Sequence, residues 1–506
     1  MHKFKDLNEV FVIAAAAVLA IVFWGLISLE SLSNFALSAN NWVGETFDTF
    51  YIAIMNGSML VLLLFLHPRF KNVLESGDSC RPAYSLVSWL AMLFTAGIGI
   101  GLLYYGMAEP LSHSLQPPNN LEASSLAAHK FGVGITMLHY GVQVWALYSI
   151  VGLGLLFYHT QYDLPYRISS LLYPILGERV HGFLGSLVDI MSIVAILFGV
   201  ATTLGLGVEQ INGGLTYIWG IPMAAGIQIC LITVITITAT ISVVTGLDKG
   251  IRLLSLATAS LSLILLAFIA GQNAMDELVL SIFEGGAYYV TNFLSLSLSM
   301  ETIANKDWQK NWTTFYWAWW IAWSPFVGMF IARISKGRSL RQYICGTMLI
   351  PALFCGIWIM VFSHTAASVA AADGGKLIES IRNNFSVSFF TFLQGLPLSK
   401  AASISTLMLL VGFFVTSSDS GSLVVHMLAA KGNPKPAAWQ RVFWSLLEGA
   451  LAATLLMAGG LKALQAGSML STVPFGFVII GLLISLPMKF IKATRGASTH
   501  TGSKDD

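Results

Sequence analysis

Charge is what this chain has least of. Asp, Glu, Lys and Arg make up 10% of its 506 residues, against roughly a quarter of an ordinary soluble protein. With 27 basic and 25 acidic side chains, the surface of a soluble chain this long would go largely unsolvated, which excludes a soluble enzyme. The net charge of +2 lacks the basic excess needed to neutralise a phosphate backbone, which excludes a nucleic-acid partner. Cysteine is scarce as well. Cys80, Cys230, Cys345 and Cys355 show no metal-ligand spacing and three lie in apolar runs, so they are expected as buried small hydrophobes and not as disulfides or zinc ligands. No metal-binding His–Glu pair is read on any helical turn, and no Ser/His/acid set falls in sensible positions. His139, His364 and His426 stand singly and are expected to be packed or hydrogen-bonded. An enzyme is therefore not expected, nor any organic cofactor.

What fills the chain instead is apolar: 56% hydrophobic residues and a mean hydropathy of +0.73. A bilayer core needs about 20 apolar residues per helix. Such runs occur near 10–28, 47–66, 84–108, 131–158, 182–206, 222–246, 253–271, 312–332, 343–366, 401–417, 441–460 and 468–488. The expected fold is an all-α polytopic membrane protein of twelve transmembrane helices. The first run is too long for a typical signal-peptide core and is read as a retained helix. Placing loops alternately on the two sides puts 20 of the 27 Lys and Arg on the side of both termini and 7 on the other. The positive-inside trend then makes both termini cytoplasmic. Residues 276–298 are read as an amphipathic helix on the outer surface, and 367–400 as a second long external loop.

Two runs carry residues that are costly in a spanning helix. The third contains Gly97, Gly99 and Gly101, and the eighth contains Ser324-Pro325. Freed backbone groups are tolerated where they face a cavity, ion or ligand, and both spans are expected to be broken. Helix packing alone is the competing account of the glycines. The two spans are five apart, the spacing of inverted five-helix repeats (84–271 and 312–488) behind an N-terminal unit (1–83). A connecting segment (272–311) would link them and a short tail (489–506) follow. Paired broken helices point to a midplane site in a secondary transporter.

The eighth span is rich in tryptophan, with Trp312, Trp317, Trp319, Trp320 and Trp323 in one stretch. An interfacial belt explains Trp312 but not a run continuing to Trp323, about 16 Å deeper at about 1.5 Å per residue. Phe315, Trp319 and Trp323 share one face, extended by Trp320. A quaternary ammonium donates no hydrogen bonds, so ring faces are its natural partners, at roughly 0.5–2 kcal/mol each. Tyr140, Trp145 and Tyr148 of the fourth span are placed to close the far side, with packing as the alternative role. No carboxylate is evident among these residues. Asp189, Asp419 and Glu448 lie in or near spans and are functional candidates as intramembrane acids.

The stretch Trp312–Arg341 (WTTFYWAWWIAWSPFVGMFIARISKGRSLR) resembles the signature of the betaine/carnitine/choline transporter family. Phe94–Leu111 (FTAGIGIGLLYYGMAEPL) is similar to its glycine-rich motif, and Thr416–Leu423 (TSSDSGSL) matches a further segment. The resemblance implies a LeuT-like 5+5 inverted repeat, a homotrimer in a bacterial inner membrane, and transport of a trimethylammonium zwitterion by alternating access. By resemblance, Phe315, Trp319, Trp320 and Trp323 bind the ammonium head with Trp145 and Tyr148. Tyr140 stands where glycine betaine carriers have tryptophan. Backbone at Ala96, Gly97 and Gly99 would meet the substrate carboxylate. Thr95, Ile98, Phe413, Thr416 and Ser417 would form a sodium site, Na+ being the expected coupling ion. Against sodium, Ile196 and Val200 replace a threonine pair, and Arg252 matches an arginine that supplies fixed positive charge in sodium-independent exchangers. That arginine is equally read as a cytoplasmic anchor. Short tails imply little intrinsic osmotic activation. A channel is the reading from another class.

Overall fold

The structure, a computed structural model, describes residues 7–74, 81–97, 99–245, 248–300, 302, 304–433 and 437–500, with the backbone alone for 94–97, 242–245, 248–252 and 495–500. Among these residues it is all-helical. Each apolar run of the sequence is overlaid by helix, and eight helical stretches are long and apolar enough to cross a membrane.

The helices begin where side chains can satisfy free amides. Asn8 accepts from the amides of Val10 and Phe11 to start the Glu9–Ile27 helix, Ser28 caps Leu29–Thr46, and Ser125 caps Leu126–Tyr140. Each cap supplies an acceptor that the first turn lacks. The Leu29–Thr46 helix lies between the first two apolar runs.

Burial separates inner from outer helices. Every residue from Val142 to Tyr158 is buried or nearly so, as are most of Phe183–Trp219 and Phe315–Ile334. Helices apolar and buried all round form the centre of a bundle. Glu9–Ile27 instead exposes Ile13, Phe23, Leu26 and Ile27, and the Asp248–Ala270 helix exposes Leu253, Leu256, Leu263 and Ile264. Such apolar surface needs a hydrocarbon solvent.

The third span breaks as expected. One helix ends at Gly97, and the next, Ile100–Leu115, starts from Gly99 in an extended conformation. The eighth does not break. The Phe315–Ile334 helix runs unbroken through Pro325, and the hydroxyl of Ser324 donates to the carbonyl of Ile321 at 2.9 Å. That carbonyl is the one whose amide partner the proline removes. The irregularity lies just before it, in a π-helical turn at Lys310–Thr314. The fourth span also breaks, at Gly141 between Leu126–Tyr140 and Val142–Tyr162.

The segment 276–298 is helical, as Met275–Thr291 and Phe293–Ser297. The expected loop at 367–400 is not a loop. The Ile350–Ala372 helix extends into it, and Lys376–Asn383 and Phe385–Gln394 follow. Phe389, Phe390, Phe392 and Leu393 of the last are fully buried, and burial of that apolar face holds the segment in place. The last two runs form two helices within Ala438–His500 that meet at Gly459 and Gly460, where the backbone leaves helical geometry and the φ of 60° at Gly460 favours glycine. Cys230 is exposed and Cys345 half-buried, so among the three described cysteines Cys355 alone takes the buried role expected of the group. Cys80 lies outside the described residues.

Candidate functional site: an aromatic cage

Trp319, Trp320 and Trp323 converge with Tyr140 and Trp145 around a central cavity that also touches Gly99, Gly101, Thr203 and Cys355. The helix break at Gly141 turns Tyr140 toward the eighth-span rings, 5.5 Å from Trp320. Close helix approach seats the indoles. A methyl group on Gly199 would come within 2.8 Å of Ala322 Cβ. The bare glycine thus lets its carbonyl accept from both Trp319 Nε1 at 3.3 Å and Trp323 Nε1 at 3.2 Å. Trp319 Nε1 also donates to the hydroxyl of Thr203 at 3.2 Å, and Trp320 Nε1 donates to the carbonyl of His139 at 2.8 Å. All three indole N–H groups are thus satisfied by the walls. What remains for a ligand is ring surface.

The rings cover one another. Trp319 and Trp320 stack at 4.8 Å and 11°, Phe315 stacks on Trp319 at 5.5 Å and 17°, and Trp323 stands perpendicular to both indoles. About 20 Å³ is left for the centres of water-sized spheres. That space is enough for about one water and not for a trimethylammonium head, so ligand entry requires the stack to part.

Of the expected substrate residues, Tyr140, Trp145, Trp319, Trp320, Trp323 and Gly99 line the cavity. Phe315 and Tyr148 stand one layer behind, Tyr148 edge-on to Trp145 and Trp320. The Tyr148 hydroxyl is buried without a hydrogen-bond partner among the described residues. Gly97 ends the first half of the broken span, whereas the side chains of Thr95 and Ala96 and all of Ile98 lie outside the described residues, as does the side chain of Arg252. Phe413 and Thr416 are buried and Ser417 half-buried. The Thr416 hydroxyl donates to Gly412 and Phe413 carbonyls at 3.0 Å each, which leaves its lone pairs available to a cation. Ile196 and Val200 are fully buried and apolar, so that wall offers no side-chain oxygen. Phe326 packs on Trp323 at 4.9 Å.

The intramembrane acids are held. Asp189 accepts from Arg167 at 2.5 and 2.7 Å and from the amide of Ser169 at 3.0 Å. Glu448 accepts from Ser418 at 2.8 Å.

One polar cluster was missed. Glu109 and His113, one turn apart on the Ile100–Leu115 helix, are a His–Glu pair of the kind read above as absent. Both are buried with His139, and among the described residues these three bring donor atoms within 4.8 Å of one another. Their mutual hydrogen bonds occupy those atoms. His139 Nδ1 lies 2.6 Å and His113 Nε2 3.3 Å from Glu109 Oε1, and the Tyr316 hydroxyl donates to Oε2 at 2.6 Å. The signal in the sequence was the Glu109–His113 spacing inside an otherwise apolar span.

A many-helix bundle with apolar outer faces defines a polytopic membrane protein, and its tryptophan-walled central cavity is the candidate site. Residues 9–495 match the betaine/carnitine/choline family transporter model. The chain is 39% identical over 502 residues to a glycine betaine transporter of Acinetobacter baylyi, covering 98% of this chain and 75% of that protein. It is 36% identical over 496 residues to the glycine betaine transporter OpuD of Bacillus subtilis, covering 97% and 96%. To the high-affinity choline transport protein of Escherichia coli K12 it is 38% identical over 451 residues, covering 88% and 66%. The chain belongs to the betaine/carnitine/choline transporter family, whose members are transporters and not enzymes.

Proposed function

We propose that the chain is a secondary active transporter importing a trimethylammonium zwitterion, glycine betaine foremost, by alternating access and coupled to sodium. The cavity walled by Trp319, Trp320, Trp323, Trp145 and Tyr140 carries this reading. Its indole N–H groups are spent on the protein, so it offers ring faces suited to a cation without donors. The substrate carboxylate would meet the amides that open the Ile100–Leu115 helix, where free N–H groups and the helix dipole favour an anion. Relatives named as glycine betaine transporters support the substrate class.

In this reading the helices make twelve spans with a LeuT-like 5+5 repeat, both termini are cytoplasmic in a bacterial inner membrane, and three copies assemble as a homotrimer. Sodium would bind among Thr95, Ile98, Phe413, Thr416 and Ser417. Sodium-independent or proton-coupled transport of choline or carnitine is the second reading. It is favoured by the apolar Ile196–Val200 wall, with Arg252 as the fixed charge, and by the choline carrier among the relatives.

The test is uptake of betaine, carnitine, choline and dimethylsulfoniopropionate into proteoliposomes with and without an inward sodium gradient. Saturable betaine uptake that rises with the gradient is expected. Equal uptake in both conditions would favour the second reading, and ohmic current without saturation would mean a channel.

A further inference from the structure

No carboxylate stands among the residues that line the cage. The structure places one behind its wall. Tyr140, which lines the cavity, has its hydroxyl 3.2 Å from that of Tyr316, and Tyr316 donates to Glu109 Oε2 at 2.6 Å. Two hydrogen bonds therefore separate a cavity-lining hydroxyl from a fully buried carboxylate.

The direction of those bonds follows from the donors. Trp308 Nε1 can only donate, and it lies 3.2 Å from His113 Nδ1. His113 Nδ1 must then accept, which makes His113 a neutral ring with its proton on Nε2, facing Glu109. His139 presents Nδ1 to the same carboxylate oxygen, and its Nε2 lies 2.9 Å from the Thr313 hydroxyl. The Tyr316 hydroxyl and the Nε2–H of His113 both donate to the carboxylate, which favours its ionised form. Tyr316 spends its proton on Glu109, so Tyr140 donates to Tyr316.

We infer that Glu109 is the buried counter-charge of the cage, a specificity-determining residue that favours ligands of net positive charge, with a neutral His113 beside it. The inference rests on the proposed trimethylammonium site and adds a selection among such ligands. The rings alone treat all trimethylammonium heads alike, because they see only the head. A fixed negative charge does not. At an effective dielectric of about 20, a unit charge roughly 8–10 Å away changes a monocation's affinity by about ten- to thirty-fold. A zwitterion's own carboxylate, a few ångströms further off, cancels most of that and leaves about two- to three-fold. The geometry allows both ends to be served. The helix that opens at Ile100 for an anion carries Glu109 nine residues further on, about 13 Å along its axis.

The experiment measures equilibrium binding of tetramethylammonium, choline and glycine betaine to the full-length purified protein and to three variants. Glu109→Gln removes the charge. His113→Lys leaves the carboxylate in place and neutralises it. Glu109→Asp keeps the charge. Glu109→Gln and His113→Lys should each weaken tetramethylammonium and choline about ten-fold or more and betaine no more than about three-fold, while Glu109→Asp keeps the wild-type ratio. A merely structural role would weaken all three ligands together, and that result, or no change in the ratio, overturns the inference. Should Glu109→Gln not fold, His113→Lys decides it alone. A wild-type protein that binds none of the ligands would instead sink the trimethylammonium site on which the inference rests.

Discussion

The indole N–H of Trp320 donates to the backbone carbonyl of His139, and the ring of His139 stacks on Tyr316 at 4.5 Å and 19°. One residue thereby ties a cage wall to the buried polar cluster. The carbonyl is available because the helix ends just beyond, at Tyr140. A regular helix continuing through Gly141 would have taken it for an amide four residues on.

Removing a ring should cost binding directly. Trp323→Ala takes away a face worth roughly 0.5–2 kcal/mol and opens the cavity to water. Betaine affinity is expected to fall about ten-fold or more, read by calorimetry, with the elution profile of the purified protein unchanged.

Gly199 sets the spacing between two central helices. A methyl there meets Ala322 at 2.8 Å and Trp323 at 3.1 Å, and such overpacking costs about 1–3 kcal/mol. Gly199→Ala should lower the thermal midpoint and shift the tryptophan emission, since its carbonyl anchors Trp319 and Trp323. An unaltered spectrum would argue against that anchoring.

Asp189 is expected to be structural. Substituting alanine leaves Arg167, 5% exposed, as an uncompensated charge, a loss of about 3–5 kcal/mol. Thermal unfolding in detergent should show a large destabilisation for Asp189→Ala, while betaine affinity of the protein that remains folded stays near wild type.

The stacked indoles must separate to admit a ligand. A saturable change in near-ultraviolet circular dichroism is expected on adding betaine, and it should be lost in Trp320→Ala. A spectrum that stays constant while calorimetry detects binding would place the ligand elsewhere.

Sodium coupling predicts that replacing Thr416 and Ser417 together with alanine raises the sodium concentration for half-maximal uptake by about ten-fold or more. Betaine affinity at saturating sodium should be little changed.

The sequence showed the apolar runs, the break between Gly97 and Ile100 and the tryptophan face, because each leaves a local mark: length, backbone freedom or ring spacing. It misled at Pro325, where the neighbouring Ser324 takes over the orphaned carbonyl of Ile321. The helix at Phe385–Gln394 was missed because its order comes from burial of Phe389 and Phe390 against Tyr104, a contact distant in sequence. Gly199 and Thr203 sit in an unremarkable apolar span, and only helix packing reveals that they hold the indoles. Glu109 was legible by its spacing to His113, but His139 joins it from another helix.

The account stands on the aromatic cavity as the ligand site. Calorimetric titration of glycine betaine into wild-type protein and into Trp319→Ala tests it most directly. Saturable binding to wild type, lost or weakened at least ten-fold in a variant that remains folded, is the predicted result. Equal affinity in the two proteins would contradict it.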